Sequence, residues 1–111
     1  MLALTASTRV FVAVEPVDLR RSFDGLSAWV GSVLNEQVVE GGLFVFANRR
    51  RNRLKVLFWD GSGLWVCAKR LEKGCFGWPK AEGTAVRLRP EELSALLSGL
   101  EVRERAGWYR R

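Results

Sequence analysis

Between Leu54 and Lys69 the chain reads LKVLFWDGSGLWVCAK, two apolar runs rich in aromatic and β-branched residues on either side of Asp60, Gly61, Ser62 and Gly63. Glycines supply the positive φ that tight hairpin turns need, so this stretch folds as an antiparallel hairpin before anything else about the chain is decided. With Gly61 and Ser62 at the tip, Trp59 faces Leu64, Phe58 faces Trp65, Leu57 faces Val66 and Val56 faces Cys67. Both faces of the pair are then largely apolar. One packs under helices, and the other must be covered by a further element or a partner, because a bare apolar patch of several hundred Å² is unusual on a solitary domain.

Other elements fall into place around the hairpin. Residues 8–14 are rich in β-branched side chains and stop at Pro16, which reads as a first strand. From 19 to 34 the apolar residues Leu19, Phe23, Leu26, Trp29, Val30, Val33 and Leu34 recur at steps of three and four, the spacing of one helix face, with Asp18 as its N-cap and Arg20 and Arg21 outward. Gly25 and Gly31 each weaken that helix by about 1 kcal/mol relative to alanine, so they mark close packing or an early end. Residues 43–47 and 84–88 read as strands. Pro90 in a first turn, Glu91 and Glu92 at the positive end, and Leu93, Leu96, Leu97 and Leu100 at helical steps define a final helix. The expected fold is α+β: a small single domain with a mostly antiparallel sheet of about five strands packed with two helices. It spans 1–111, with a core at about 8–100 and a basic aromatic tail at 101–111.

Charge is concentrated where the strands turn. Arg49, Arg50, Arg51 and Arg53 put four guanidinium groups within five positions, with Lys55 close behind. Such groups repel one another, and polymer phosphate is the commonest cellular counter-charge; the other reading is a solvated turn that keeps a hairpin soluble. Lys69, Arg70 and Lys73 extend the basic character toward Phe76 and Trp78, two aromatics that either contact nucleic acid or alternate into the core. The formal net charge of +6 and a pI near 10.2 favour acidic partners.

Chemistry finds little purchase. There is no histidine, and Asp18, Asp24 and Asp60 each have a structural role as cap, exposed helix residue and turn residue. No cofactor, metal or small-molecule substrate is expected, and a small nuclease is the least favoured reading. Gly61 and Gly63 lead into a strand, whereas a nucleotide-binding fingerprint opens a helix. Cys67 and Cys75 read as free thiols in a reducing compartment. No run approaches the roughly 20 apolar residues of a membrane span, and Thr5, Ser7, Thr8 and Arg9 interrupt the first apolar stretch, so no membrane partner and a cytoplasmic location are expected.

The run DLRRSFDGL at residues 18–26, LFVFANRRR at 43–51, KVLFWDGSG at 55–63, KRLEKG at 69–74 and FGWP at 76–79 together resemble the TnpB accessory proteins encoded by the second open reading frame of bacterial insertion sequences of family sixty-six. The likeness runs from about Val10 to Leu100. Two positions depart from the pattern: Cys75 stands where relatives usually carry arginine, and Arg89 where a threonine or serine usually precedes the proline, a loss of a capping hydroxyl typically worth around 1 kcal/mol. The resemblance implies a noncatalytic accessory in DNA transposition, with strand cleavage and joining left to a transposase of the same element, and it supplies no catalytic residues. Joined to the residue reading, it gives DNA as partner through Arg49, Arg50, Arg51, Arg53, Lys55, Lys69, Arg70 and Lys73. The alternative is a module that docks on the transposase through Phe58, Trp59, Trp65 and Trp78 without touching DNA.

Overall fold

The computed structural model describes Thr5 and residues 7–99. Its scaffold is one five-stranded sheet built from β1 (Val10–Ala13), β2 (Leu43–Ala47), β3 (Arg53–Trp59), β4 (Leu64–Arg70) and β5 (Ala85–Leu88), in the spatial order β4-β3-β2-β1-β5. The β3–β4 hairpin has the register read from the sequence, with Trp59 opposite Leu64 and Val56 opposite Cys67. β2 pairs antiparallel with β3, and β5 antiparallel with β1. β1 and β2 run parallel, Val10 beside Leu43, because the chain between them crosses over through a helix. No helix among the described residues is long and apolar enough to cross a membrane.

Alternation along the strands sorts the apolar side chains into two cores. Val10, Val12, Leu43, Val45, Leu54, Val56 and Phe58 face α2 (Pro90–Leu97) together with Phe76 and Trp78. Ala13, Phe44, Phe46 and Leu57 face α1 (Phe23–Trp29), its continuation Val30–Leu34, and the buried Val17 and Val38. The second apolar face of the hairpin is therefore covered from within the chain. β2 is buried at all five positions, which is why it reads as an unbroken apolar run and not as an alternating one. Phe76 and Trp78 do enter the core two residues apart, but from an irregular segment after β4 and not from a strand.

The first helix is shorter than its periodicity suggests. Asp18 does not cap it: its carboxylate accepts the Arg20 backbone N–H at 3.0 Å and holds the Arg20 guanidinium at 2.8–3.1 Å, while Arg21 N–H donates to the Asp18 carbonyl. That local turn wins over helix entry because an aspartate reaches the N–H two residues ahead without ordering anything else. α1 starts at Phe23, with Leu26 N–H bonded to Ser22 carbonyl at 2.8 Å. Gly25 is where the turn folds back, since a Cβ there would lie 3.1 Å from the Arg21 Cβ. From Val30 the helix widens to π geometry and ends at Asn35 in the left-handed region. A Cβ at Gly31 would meet only the Glu36 carbonyl oxygen, at an ordinary 4.0 Å, so close packing explains one of the two glycines and not the other.

At α2 the missing capping hydroxyl is partly offset. Arg89 stands at the N-cap, and the carboxylate of Glu92, only 7% exposed, accepts its backbone N–H at 2.9 Å and sits 3.4 Å from its Nε. Leu93 and Leu96 point inward; Leu100 and the tail at 101–111 lie outside the described residues. Because two cores share one sheet, Leu26→Ala on one side and Leu93→Ala on the other should each cost about 2–5 kcal/mol in chemical denaturation. A cost under about 1 kcal/mol at either position would mean that its helix does not close the core.

Candidate nucleic-acid interface

The connection between β2 and β3 comprises residues 48–52, and Asn48 clamps it. Its Oδ1 accepts the backbone N–H groups of Asn52 and Arg53, each at 3.1 Å, and its Nδ2 donates to Asn52 Oδ1 at 2.8 Å. Arg51 N–H closes onto the Asn48 carbonyl at 3.1 Å. The chain returning from β4 pins the same turn from the other side, through Leu71 N–H to Asn52 carbonyl at 2.8 Å and Phe76 N–H to Arg51 carbonyl at 2.6 Å. This turn is built to one shape.

Within it the three consecutive arginines part company. Arg51 has φ +59°, a conformation uncommon for a long side chain, and that geometry turns it away from its neighbours. Its Nη2 donates to the Val14 carbonyl at 2.8 Å, and its guanidinium carbon lies 5.2 Å from the centroid of the Trp78 ring. Nη1 is buried and finds no hydrogen-bond partner among the described residues. Burial lowers the pKa of this guanidinium from its ordinary value, against the pull of nearby Glu15. The expectation that Arg51 belongs to an open cationic cluster is corrected: it is an inward anchor.

Arg49, Arg50 and Arg53 are exposed, and none has a carboxylate within 4 Å among the described residues. Arg53 stands directly across from Arg70, a like-charge pair that a sheet normally avoids. Arg70 is relieved by Glu72 at 3.2 Å, whereas Arg53 is not. Lys55, on the same face, donates from Nζ to the Arg21 carbonyl at 3.0 Å. Two concave surfaces of about 420 and 390 Å³ adjoin here and share Leu19 and Arg53; the first is lined also by Arg20 and Arg50, the second by Lys55 and Arg70. Arg20 is the member that sequence reading missed. Its signal was the carboxylate two residues earlier, which holds it over the groove and is itself drawn down to a pKa of about 2 by the Arg20 side chain and backbone N–H.

Lys69 departs from the expected grouping. It pairs with Leu54, so the pleat sends it to the α2 side, where its Nζ donates to the Leu97 carbonyl at the end of that helix. Lys73 is exposed in the segment beyond β4.

The four aromatic candidates also separate. Phe58 and Trp78, at 8% and 6% exposure, are core residues, and the Trp78 indole N–H is spent on the Ala13 carbonyl at 2.8 Å. Their burial removes them from any docking surface of the folded chain. Trp59 is half-buried against the α1 core. Trp65 is 48% exposed, stacked on Phe58 at 6.1 Å, with its indole N–H bonded to Asp60 Oδ2. Asp60 is held well below the usual carboxylate range, first by the Ser62 backbone N–H and then by that indole.

Four substitutions separate scaffold from surface. Arg51→Ala should cost about 2 kcal/mol, the scale of a charged hydrogen bond to a buried carbonyl, whereas Arg49→Ala and Arg50→Ala should each stay within about 0.5 kcal/mol. Asn48→Ala, which removes three hydrogen bonds, should also cost about 2 kcal/mol. Urea denaturation reads all four, and equal effects at positions 49, 50 and 51 would contradict the division.

No solved structure matches. The protein y4jC of Sinorhizobium fredii (strain NBRC 101917 / NGR234), named as uncharacterized, is 42% identical over 101 residues that cover 91% of this chain and 86% of its own length. A second from that organism, y4hO, likewise named, is 42% identical over 103 residues, covering 93% and 90%. A family model described as "IS66 Orf2 like protein" matches residues 8–106, nearly the whole chain; the chain belongs to that family of insertion-sequence accessory proteins.

Proposed function

We propose that this protein serves DNA transposition as a noncatalytic accessory that holds DNA by its phosphates, with Arg49, Arg50 and Arg53 in first contact and Lys55, Arg70, Lys73 and Arg20 beside them. The observation that carries this reading is the division within the basic turn. Arg51 is spent on fixing the loop, and its neighbours have no carboxylate partner among the described residues and stand on a preformed rim. Preorganised guanidinium groups suit phosphate because the planar fork is ready to bond two oxygens and little further ordering is required. Such contacts fix position and carry no base sequence. The absence of histidine, and the use of Asp18 and Asp60 within their own turns, support leaving strand cleavage and joining to the transposase.

A second reading has the protein dock on the transposase of the same element without touching DNA. The exposed Trp65 favours it, and the same arginines would pair with acidic side chains. Salt dependence separates the two. If Arg49, Arg50, Arg53 and Lys55 each neutralise one phosphate, the logarithm of affinity for a duplex falls with the logarithm of salt at a slope of about −3.6. Replacing Arg49, Arg50 and Arg53 together by alanine should reduce that slope to about −0.9 while the melt stays nearly unchanged. A slope near zero for the natural protein, with transposase still co-purifying, would replace the first reading by the second.

A further inference from the structure

β4 lies at the outer edge of the sheet, and among the described residues β3 is its sole strand partner. The phase of its ladder is fixed at both ends. Asp60 N–H bonds the Gly63 carbonyl at the hairpin tip, and Leu71 N–H bonds the Asn52 carbonyl at the far end. With unbroken pairing between, Trp65, Cys67 and Lys69 turn their backbone groups toward β3, and Leu64, Val66, Ala68 and Arg70 turn theirs outward.

We propose that a second copy of this chain adds to this edge, antiparallel, with a two-fold axis at Cys67. Independently of how the protein meets DNA, that register is singled out by the strand itself. Leu64 meets the partner's Arg70 and Val66 meets the partner's Ala68, so every outward backbone N–H and carbonyl of the seven-residue strand is paired. Moving the axis to Val66 or Ala68 leaves one end of β4 unpaired. Charge selects the same arrangement. Cations at an edge strand ordinarily deter pairing, yet here Lys69 falls opposite the partner's Trp65 and Arg70 opposite the partner's Leu64, and no like charges meet. Trp65 and Lys69 share the α2 face, so the methylene stem of the lysine lies beside an indole that is 48% exposed and already braced by Phe58 and Asp60, while its Nζ keeps the Leu97 carbonyl. An isologous contact of this kind joins the two five-stranded sheets into one.

The register makes a chemical prediction at its centre. Cys67 is a free thiol at a non-hydrogen-bonded position, where facing Cα atoms approach to roughly 4.5 Å, within disulfide range. In a full-length chain carrying Cys75→Ser, diamide should take up two protons and two electrons and leave a Cys67-to-Cys67 crosslink on a non-reducing gel. Light scattering across a dilution series should give twice the 12.5 kDa chain mass at high concentration. Ala68→Pro removes an outward N–H and leaves the β3 ladder intact, so it should raise the dissociation midpoint about tenfold, two hydrogen bonds being lost by symmetry. A single-chain mass throughout the series, a dimer indifferent to Ala68→Pro, or a dimer that does not crosslink through Cys67 would each overturn the proposal. If circular dichroism finds Ala68→Pro unfolded, crosslinking of the Ala68 chain still decides.

Discussion

The capture of the Arg51 guanidinium between the Val14 carbonyl and the Trp78 ring is the interaction on which the rest of the interface depends. It ties the tip of the β2–β3 hairpin to the end of β1 and to the irregular segment that closes the α2-side core. A lysine could not replace it well, because a compact ammonium neither stacks flat on an indole nor forks toward a carbonyl. The left-handed backbone at Arg51 is the cost of the arrangement, and the bonds from Asn48, Leu71 and Phe76 around the turn offset it. One cation is thus removed from solvent, and its neighbours are held apart from it on a rim.

Sheet geometry then distributes the remaining charge. Alternation along β3 sends Arg53 and Lys55 to the α1 side, and cross-strand pairing adds Arg70 there while sending Lys69 to the other side. The α1-side groove gathers Arg20 and Arg50 as well, because the Asp18 turn lays Arg20 across it. Lys69 is spent on the end of α2, where a cation complements the orphan carbonyls of the last helical turn. Basic residues that are close in sequence therefore do different work, and their side of the pleat decides which.

The parts legible in the sequence were those governed by short-range rules. The Asp60–Gly63 turn, with its tip at Gly61 and Ser62, fixed the β3–β4 register to the residue, and the strands at 43–47 and 84–88 lay close to where their apolar runs ended. What escaped depended on competition or on distance. Asp18 had two N–H partners within reach, and only the folded backbone shows that it bonds Arg20 and leaves the helix to begin at Phe23. The parallel pairing of β1 with β2 involves segments more than thirty residues apart and leaves no local mark. Three identical arginines in a row carry no signal of which one is inward; the bulky partner, Trp78, lies far along the chain. Burial likewise divided four similar aromatics into core Phe58 and Trp78, half-buried Trp59 and exposed Trp65.

Arginine side-chain Nε–H resonances, followed by NMR while a duplex of arbitrary sequence is added at low salt, test the division of the basic turn most directly. The signals of Arg49, Arg50 and Arg53 should move on addition of DNA and return as salt is raised, while that of Arg51 stays in place. Movement of Arg51 equal to that of its neighbours, or changes confined to the Trp65 indole and β4, would contradict the account.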